Sequence, residues 1–212
     1  MYPDLFELIE YGNQLNLTPT MVTNAHLLTK EVIRVLGELK VQQIGVSVDS
    51  LCRETNKKIG RFNPNANLIP DLEFYSEVLQ NIAAKNINTK INICAMQANK
   101  EEDFSPLLDN AKFSRLKVFQ MLPQGKHHLQ SQKLTLPEFE QFCTRLEKYS
   151  PICLSEETLK NSYALLDGEG NFVSNNSDGT HTKIGNLSQK SLSTLINKSL
   201  FNEKNHQQMK GL

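Results

Sequence analysis

The sequence predicts an α/β protein with a parallel sheet and helices packed outside it. Segments with strand and helix patterns alternate as far as Pro123, at the spacing typical of repeated βα units. Short apolar runs mark the strands, and apolar residues at helical spacing mark the segments between them. Open doubly wound sheets and (βα) barrels are the two common folds with this pattern, and the periodicity leaves both open.

The composition limits the classes of protein to consider. The chain has 212 residues, of which 39% are hydrophobic and 22% charged, as in a soluble protein of about one domain or slightly more. Its 23 basic and 23 acidic residues give a formal net charge of zero, which argues against a direct nucleic-acid platform. Because no apolar run reaches about 18 residues and no signal-peptide pattern is present, we predict a cytoplasmic protein without membrane contact.

End signals and periodicity place the individual elements. Pro3 and Gly12 delimit a first helix, and Thr29 fits the N-cap of a second. Thr135 fits the N-cap of a later helix, and the Gly-rich turn at 167–170 indicates a hairpin between 162–166 and 171–174. The predicted helices span residues 3–14, 29–39, 71–86, 101–112 and 136–149, with a short helix or turn over 53–59 and a partly helical tail over 188–209. The predicted strands span residues 17–24, 43–50, 89–96 and 116–122.

The cysteines and histidines offer no recognisable metal motif. The four cysteines, at positions 52, 94, 143 and 153, form no C-x-x-C pair, so we expect free thiols rather than a disulfide or a metal site. His127 and His128 lie in a predicted loop without a companion at ligand spacing, and we interpret them as solvated residues.

Three consecutive predicted strands carry polar residues on one face only. Side chains alternate along a strand, so every second residue shares a face. The residues on this face are Gly45, Ser47 and Asp49 in the second strand, Lys90, Asn92 and Cys94 in the third, and Arg115, Lys117 and Phe119 in the fourth. We expect helices to cover the apolar faces and the polar faces to line a shared interior.

A polar interior of this kind predicts a ligand site. Burying unpartnered charges is costly, so lysines and an arginine at these positions favour a pocket for an anionic ligand such as phosphate. The alternative is a register shifted by one residue, or strand ends that form ion pairs in solvent. Arg61, after Gly60, fits either the pocket mouth or the surface. Neither common nucleotide-binding Gly motif is present.

Five sequence strings, taken in order and at their spacings, resemble the viperin-like radical S-adenosylmethionine (SAM) enzymes. The strings are SVDS at 47–50, IGR at 59–61, KIN at 90–92, KVFQ at 117–120 and SYALLD at 162–167. The resemblance runs from about Pro3 to about Ser174. It implies a partial (βα)6 radical-SAM barrel over residues 1–150, with N-terminal strands missing, and a C-terminal extension over 151–212.

The resemblance also implies a reaction. Such enzymes use a [4Fe-4S] cluster and an electron donor to cleave SAM reductively. The resulting 5′-deoxyadenosyl radical takes the 4′ hydrogen of a nucleoside triphosphate, and loss of water gives the 3′-deoxy-3′,4′-didehydro nucleotide. The enzyme is thus a lyase, and its product, which terminates viral RNA chains, serves antiviral defence.

The same resemblance assigns roles to residues of this chain. The residues implied to contact SAM are Ser47, Arg61, Thr23 and Asn24. The residues implied to line the nucleotide site, mainly at the triphosphate, are Lys90, Asn92, Arg115, Lys117 and Lys183. Tyr163 is the implied catalytic residue, near the sugar.

One departure from the family is large. The C-x-x-x-C-x-x-C loop that supplies the cluster thiolates is absent, as is the Gly-Gly-Glu-Pro stretch that holds the methionine end of SAM. We expect both to belong upstream of Met1, so that the chain is a fragment, a mis-assigned start or a truncated reading frame that is inactive alone. Another radical SAM enzyme acting on a peptide or small molecule, and a non-catalytic nucleotide-binding remnant, remain as alternatives.

Overall fold

The fold is a parallel five-stranded sheet followed by a small antiparallel sheet, in a computed structural model that describes residues 3–123, 130–175, 181–199 and 201–210. The first sheet has the strands β1 (Thr20–Thr23), β2 (Gln43–Ser47), β3 (Asn88–Ala95), β4 (Arg115–Gln120) and β5 (Ile152–Leu154). The second has β6 (Leu165–Leu166), β7 (Asn171–Asn175) and β8 (His181–Asn186). The strands of the first sheet follow one another in chain order and every pairing is parallel, which confirms the predicted α/β class.

Helices connect the parallel strands, as the alternation predicts. They are α1 (Leu5–Gln14), α2 (Lys30–Glu38), α3 (Arg53–Lys58), α4 (Leu72–Ala84), α5 (Ser105–Leu108), α6 (Leu136–Arg145) and α7 (Glu156–Leu159), and the tail adds α8 (Leu192–Lys198) and α9 (Glu203–Lys210). The predicted caps are present, because the Thr29 side chain accepts a hydrogen bond from the Val32 amide. Thr135 and Glu138 form a reciprocal capping box at the start of α6.

One face of the parallel sheet packs against helices. Ile44 and Val46 of β2 and Ile91 and Ile93 of β3 are almost fully buried. The helices contribute to the same core through Ile33, Leu36, Tyr75, Leu79, Ile82 and Phe142. This arrangement matches the apolar faces predicted from the strand alternation. Burial of each such side chain stabilises the fold by about 1.5–3 kcal/mol, so the helices cover this face firmly.

Several elements differ from the predictions. β5 and β8 were not predicted, because three residues after Pro151 and the polar run HTKIGN carry too little periodic signal. α5 is much shorter than the predicted helix over 101–112. The expectation of four free thiols is wrong, since the structure joins Cys143 to Cys153 with Cα atoms 6.4 Å apart, while Cys52 and Cys94 are free.

The C-terminal part forms a second, smaller core. Leu154, Leu159 and Met209 pack together there, and Tyr163 packs against them. α9 lies on α7, where the Asn205 side chain donates to the backbone oxygens of Glu157 and Lys160 at 3.0 and 2.8 Å. Within the ranges described, no helix is both long enough and apolar enough to span a bilayer. The boundary at residue 150 stays a prediction.

Candidate functional site

The register of the parallel sheet places the predicted polar residues side by side. Gly45, Lys90 and Arg115 form one row across β2, β3 and β4. Ser47, Asn92 and Lys117 form the next row toward the carboxyl ends of the strands. Paired residues of neighbouring strands share a face, so these six residues lie on one side of the sheet, opposite the helix-covered core. We call this side the polar face.

Gly45 makes room on the polar face for two longer side chains. A Cβ at this position would lie 2.9 Å from Lys90 Cε and 3.2 Å from Asn92 Nδ2, closer than side chains normally approach. Both side chains therefore pass over the glycine. A residue that breaks the apolar pattern of β2 thus has a structural role that sequence alternation alone does not reveal.

The side chains of Asn92 and Lys90 are left without partners among the described residues. Asn92 is 8% exposed, and its Oδ1 atom is buried with no hydrogen-bond partner. The half-buried Lys90 ammonium likewise forms no hydrogen bond or ion pair with any described residue. Buried polar groups in native proteins are nearly always satisfied, so unsatisfied groups clustered on one surface indicate a ligand site.

Three cations of this face, which we call the cation cluster, have no carboxylate partner. They are Lys90, Arg115 and Lys117, and none of the ion pairs between described residues involves them. Lys117 is 6% exposed, and burial together with the charges of Lys90 and Arg115 lowers its pKa to about 8. Burial and the Arg115 charge also lower the pKa of Lys90. An anion at this position would relieve the repulsion.

Carbonyl oxygens of α9 contact two members of the cation cluster. The Lys117 ammonium donates to the backbone oxygen of Met209, and Arg115 Nη1 donates to that of Lys210 at 2.8 Å. These carbonyls lie at the last turn of α9, the negative end of the helix dipole. The sequence does not predict this contact, because the polar stretch NEKNHQQMK carries no signal for where the helix docks.

Arg61 lies at a second cationic position, held by Asp49. Asp49 is 2% exposed, and its Oδ2 atom accepts a hydrogen bond from Arg61 Nε at 2.5 Å. The two Nη groups of Arg61 have no partner among the described residues. Burial and the nearby Arg61 charge lower the pKa of His26, which follows β1. The structure thus leaves a guanidinium with two unpartnered Nη groups near the end of the first strand.

The other residues implied to contact SAM lie around the strand ends. The Thr23 hydroxyl accepts from the Ala25 amide at 3.1 Å, and Asn24 Oδ1 accepts from the His26 amide at 3.2 Å, so both side chains shape the turn after β1. Thr23 pairs with Val46, which belongs to the helix-covered face rather than the polar face. Ser47 lies beside Asn92 on the polar face.

The two remaining predicted residues lie in the C-terminal part. Tyr163 packs against the second core of Leu154, Leu159 and Met209. Leu154 pairs with Phe119, which shares the face of Lys117, so Tyr163 lies on the side of the polar face. Lys183 is on β8, is largely exposed and forms an ion pair with Glu169 at 3.9 Å, so the structure does not join it to the cation cluster. His127 and His128 lie outside the described residues.

The described residues do not fit an iron–sulfur cluster. No group of three or more His, Cys, Asp or Glu side chains within the described ranges lies where it could hold a metal ion. Burial, with the Asp49 carboxylate nearby, raises the pKa of the Cys94 thiol to about 12, which disfavours the thiolate that metals require. We therefore derive no chemical step through a cluster from these residues.

Solved structures define the class of fold. The chain is similar to Streptococcus suis SuiB bound to SAM, with a TM-score of 0.66 and 13% identity over 99% of this chain and 54% of that one. It is also similar to anSMEcpe with bound AdoMet, with a TM-score of 0.52 and 14% identity over 97% of this chain and 63% of that one. The fold is therefore similar to that of radical SAM enzyme structures.

Curated relatives narrow the class further. Several are named SAM-dependent nucleotide dehydratase. The relatives from Flammeovirga pacifica, Psychrobacter lutiphocae and Lacinutrix mariniflava are 31%, 27% and 30% identical over 84%, 82% and 82% of this chain. The chain is a relative of the viperin-like nucleotide dehydratases, which confirms the resemblance found in the sequence. It spans 62%, 58% and 37% of these relatives' lengths, and no family model matches it.

Proposed function

We propose that this chain is the larger, nucleotide-binding part of a SAM-dependent nucleotide dehydratase with a partial (βα)6 barrel. The observation that carries the proposal is the cation cluster around the unpartnered Oδ1 atom of Asn92. Its charges have no protein carboxylate, so an anionic ligand is the partner that its chemistry calls for. The names of the curated relatives support a nucleotide over a peptide as that ligand.

In this proposal the cation cluster binds the triphosphate. Lys90 and Lys117 act as point charges, while the planar guanidinium of Arg115 can contact two phosphate oxygens. Asn92 Oδ1 can accept a hydrogen bond from a sugar hydroxyl, which phosphate oxygens cannot supply. Tyr163, which packs against the second core, is proposed to contact the sugar. Lys183 would join the triphosphate only if the β7–β8 hairpin approached the cluster.

The end of the sheet nearest Arg61 is proposed to bind SAM. The free donors of Arg61 fit this cofactor, because its amino-acid end carries a carboxylate. Ser47, Thr23 and Asn24 complete the proposed border. SAM bound there would supply the hydrogen-abstracting radical of the full enzyme. In this proposal the described residues hold and orient the two ligands.

The whole reaction is proposed for the full enzyme. We propose a cytoplasmic lyase that converts a nucleoside triphosphate into the 3′-deoxy-3′,4′-didehydro form for antiviral defence, supplied with electrons by a reductase. We propose that the enzyme acts on the free nucleotide, without direct contact with nucleic acid or membrane.

Nucleotide binding tests the proposal directly. The dissociation constant of the full chain for each of the four ribonucleoside triphosphates is measured by titration calorimetry, alongside Lys117→Met. We expect the substitution to weaken binding by about tenfold to a hundredfold, as for the loss of a charge-assisted hydrogen bond. The matched control is Lys30→Met on α2, whose exposed lysine pairs with Glu77. Equal affinities for all three proteins, or no binding at all, would contradict the proposal.

A further inference from the structure

The pair formed by Asp49 and Arg61 is built more tightly than an ordinary surface ion pair. Both oxygens of the buried Asp49 carboxylate are engaged: Oδ1 accepts from the Cys94 amide at 3.1 Å and Oδ2 accepts from Arg61 Nε at 2.5 Å. The Asp49 backbone oxygen accepts from Asn99 Nδ2 at 2.6 Å. Two bonds therefore hold the Asp49 carboxylate and a third holds its backbone, which fixes the acceptor that Arg61 Nε meets.

The backbone of Arg61 is fixed as well. Its amide donates to the Asn56 oxygen at 2.7 Å, and the preceding Gly60 has a φ of +80°, a left-handed conformation that favours glycine. Asn56 is fully buried and donates through Nδ2 to the backbone oxygens of Ser50 and Pro70. The backbone of the turn after α3 therefore positions Arg61 beside Asp49, so the pair does not depend on a contact between flexible side chains alone.

The geometry leaves the ligand-binding edge of the guanidinium free. Asp49 takes only Nε, while the two Nη groups have no described partner and the side chain is 32% exposed. A guanidinium presents its two Nη groups as a fork that matches a carboxylate in a bidentate fashion. In S-adenosylmethionine the only anionic group is the amino-acid carboxylate.

We propose that Asp49 is a positioning residue that aims the Nη fork of Arg61 at the carboxylate of S-adenosylmethionine. Asp49 itself touches neither the cofactor nor the reacting atoms. This inference rests on the proposed function and extends it, because it assigns the orientation of the cofactor's amino-acid end to one buried side chain.

The experiment compares how the full chain binds the whole cofactor and an analogue without its amino-acid end. The dissociation constants of S-adenosylmethionine and of 5′-methylthioadenosine, which lacks the carboxylate, are measured for the wild-type protein, Asp49→Asn, Arg61→Ala and the double variant. We expect Asp49→Asn to weaken binding of S-adenosylmethionine about tenfold and to leave methylthioadenosine within about twofold. In the Arg61→Ala background, Asp49→Asn should add less than about twofold. A purely structural role would weaken both compounds alike, and that result would overturn the inference.

A second variant covers the case in which Asp49→Asn does not fold. Arg61→Lys keeps the positive charge on a partly exposed side chain but removes the fork. We expect it to lose affinity for S-adenosylmethionine about as Arg61→Ala does, and retained affinity would contradict the inference. If the wild-type chain binds neither compound, the proposed function fails. If it binds both and is indifferent to Arg61 and Asp49, only the positioning role fails.

Discussion

The two groups of cations around the polar face are neutralised in different ways. Arg61 meets a buried carboxylate on its own chain, and its pair with Asp49 is complete before any ligand arrives. The cation cluster has no such carboxylate, and its only described acceptors are the α9 carbonyls that contact Arg115 and Lys117. The charge of Arg61 is therefore paired within the protein and holds the side chain in place, whereas the charges of the cation cluster remain available to a ligand.

This difference explains why the pKa values of the cluster are perturbed. Burial lowers the pKa of Lys117 to about 8, and neighbouring cations lower it in the same direction. A polyanion supplies what the cluster lacks, so ligand binding there should depend on pH and salt. Binding at Arg61 should depend on both much less, since Asp49 already compensates its charge.

The largest expected effect is on folding, and it separates the two regions. Asp49→Ala leaves the Cys94 amide and the Arg61 Nε without their acceptor, so we expect the free energy of unfolding to fall by about 3 kcal/mol. Lys117→Met should change it by less than about 1 kcal/mol, because loss of the bond to Met209 is offset by relief of buried charge. Urea denaturation of both variants measures the two values.

An exposed carboxylate provides the control for that comparison. Glu77 pairs with Lys30 on the outer surface, and Glu77→Ala should cost less than about 0.5 kcal/mol. If Asp49→Ala proved as mild as this control, Asp49 would not anchor the site, and the contrast between the two regions would disappear.

The pH dependence of nucleotide binding gives the next largest effect. Below about pH 8 Lys117 is charged, and above it the ammonium loses its proton and its attraction for phosphate. We expect the triphosphate dissociation constant to rise about tenfold between pH 7 and 9. Lys117→Met should retain only the smaller dependence that comes from Lys90. A flat profile in the wild-type protein would show that Lys117 does not bind phosphate.

The same shift has the opposite sign for folding. The folded pKa of Lys117 lies below its ordinary value of 10.5, so the unfolded chain holds the proton more tightly. The free energy of unfolding should therefore rise as the pH increases from about 8 toward 10.5, while nucleotide affinity falls. Opposite trends in one pH interval are a sharp test, because general alkaline damage would lower both.

Strand alternation predicted the polar face but not everything that touches it. The period of two along the strands at 43–50, 89–96 and 116–122 placed Lys90, Asn92 and Lys117 together, because a buried parallel sheet leaves little freedom of register. The contact between α9 and Lys117 joins residues 92 positions apart through backbone oxygens, which every sequence possesses. No side-chain pattern could reveal it.

Role assignments depended on the resemblance rather than on pattern. Arg61 and Asp49 are 12 positions apart, and the loop between them carries no periodicity that would bring them together. Thr23 shows a limit of the resemblance: it implied a contact with SAM, yet the register aligns Thr23 with Val46 of the apolar face. Local sequence thus predicts which face a strand residue occupies better than what the residue contacts.

The smallest expected effect concerns α9 and the cation cluster. If the triphosphate takes the donors that now bond Met209 and Lys210, loosening α9 should favour nucleotide binding. Asn205→Ala removes the two hydrogen bonds that hold α9 on α7, so we expect the triphosphate dissociation constant to fall about twofold to fivefold. Gln207→Ala, an exposed change on the same helix, is the control and should leave affinity unchanged. A weaker affinity in Asn205→Ala would mean that the docked helix completes the nucleotide site instead of competing with it. The cation cluster would then be formed by contacts within the protein before the ligand binds, as Arg61 is, and the contrast between the two regions would be lost.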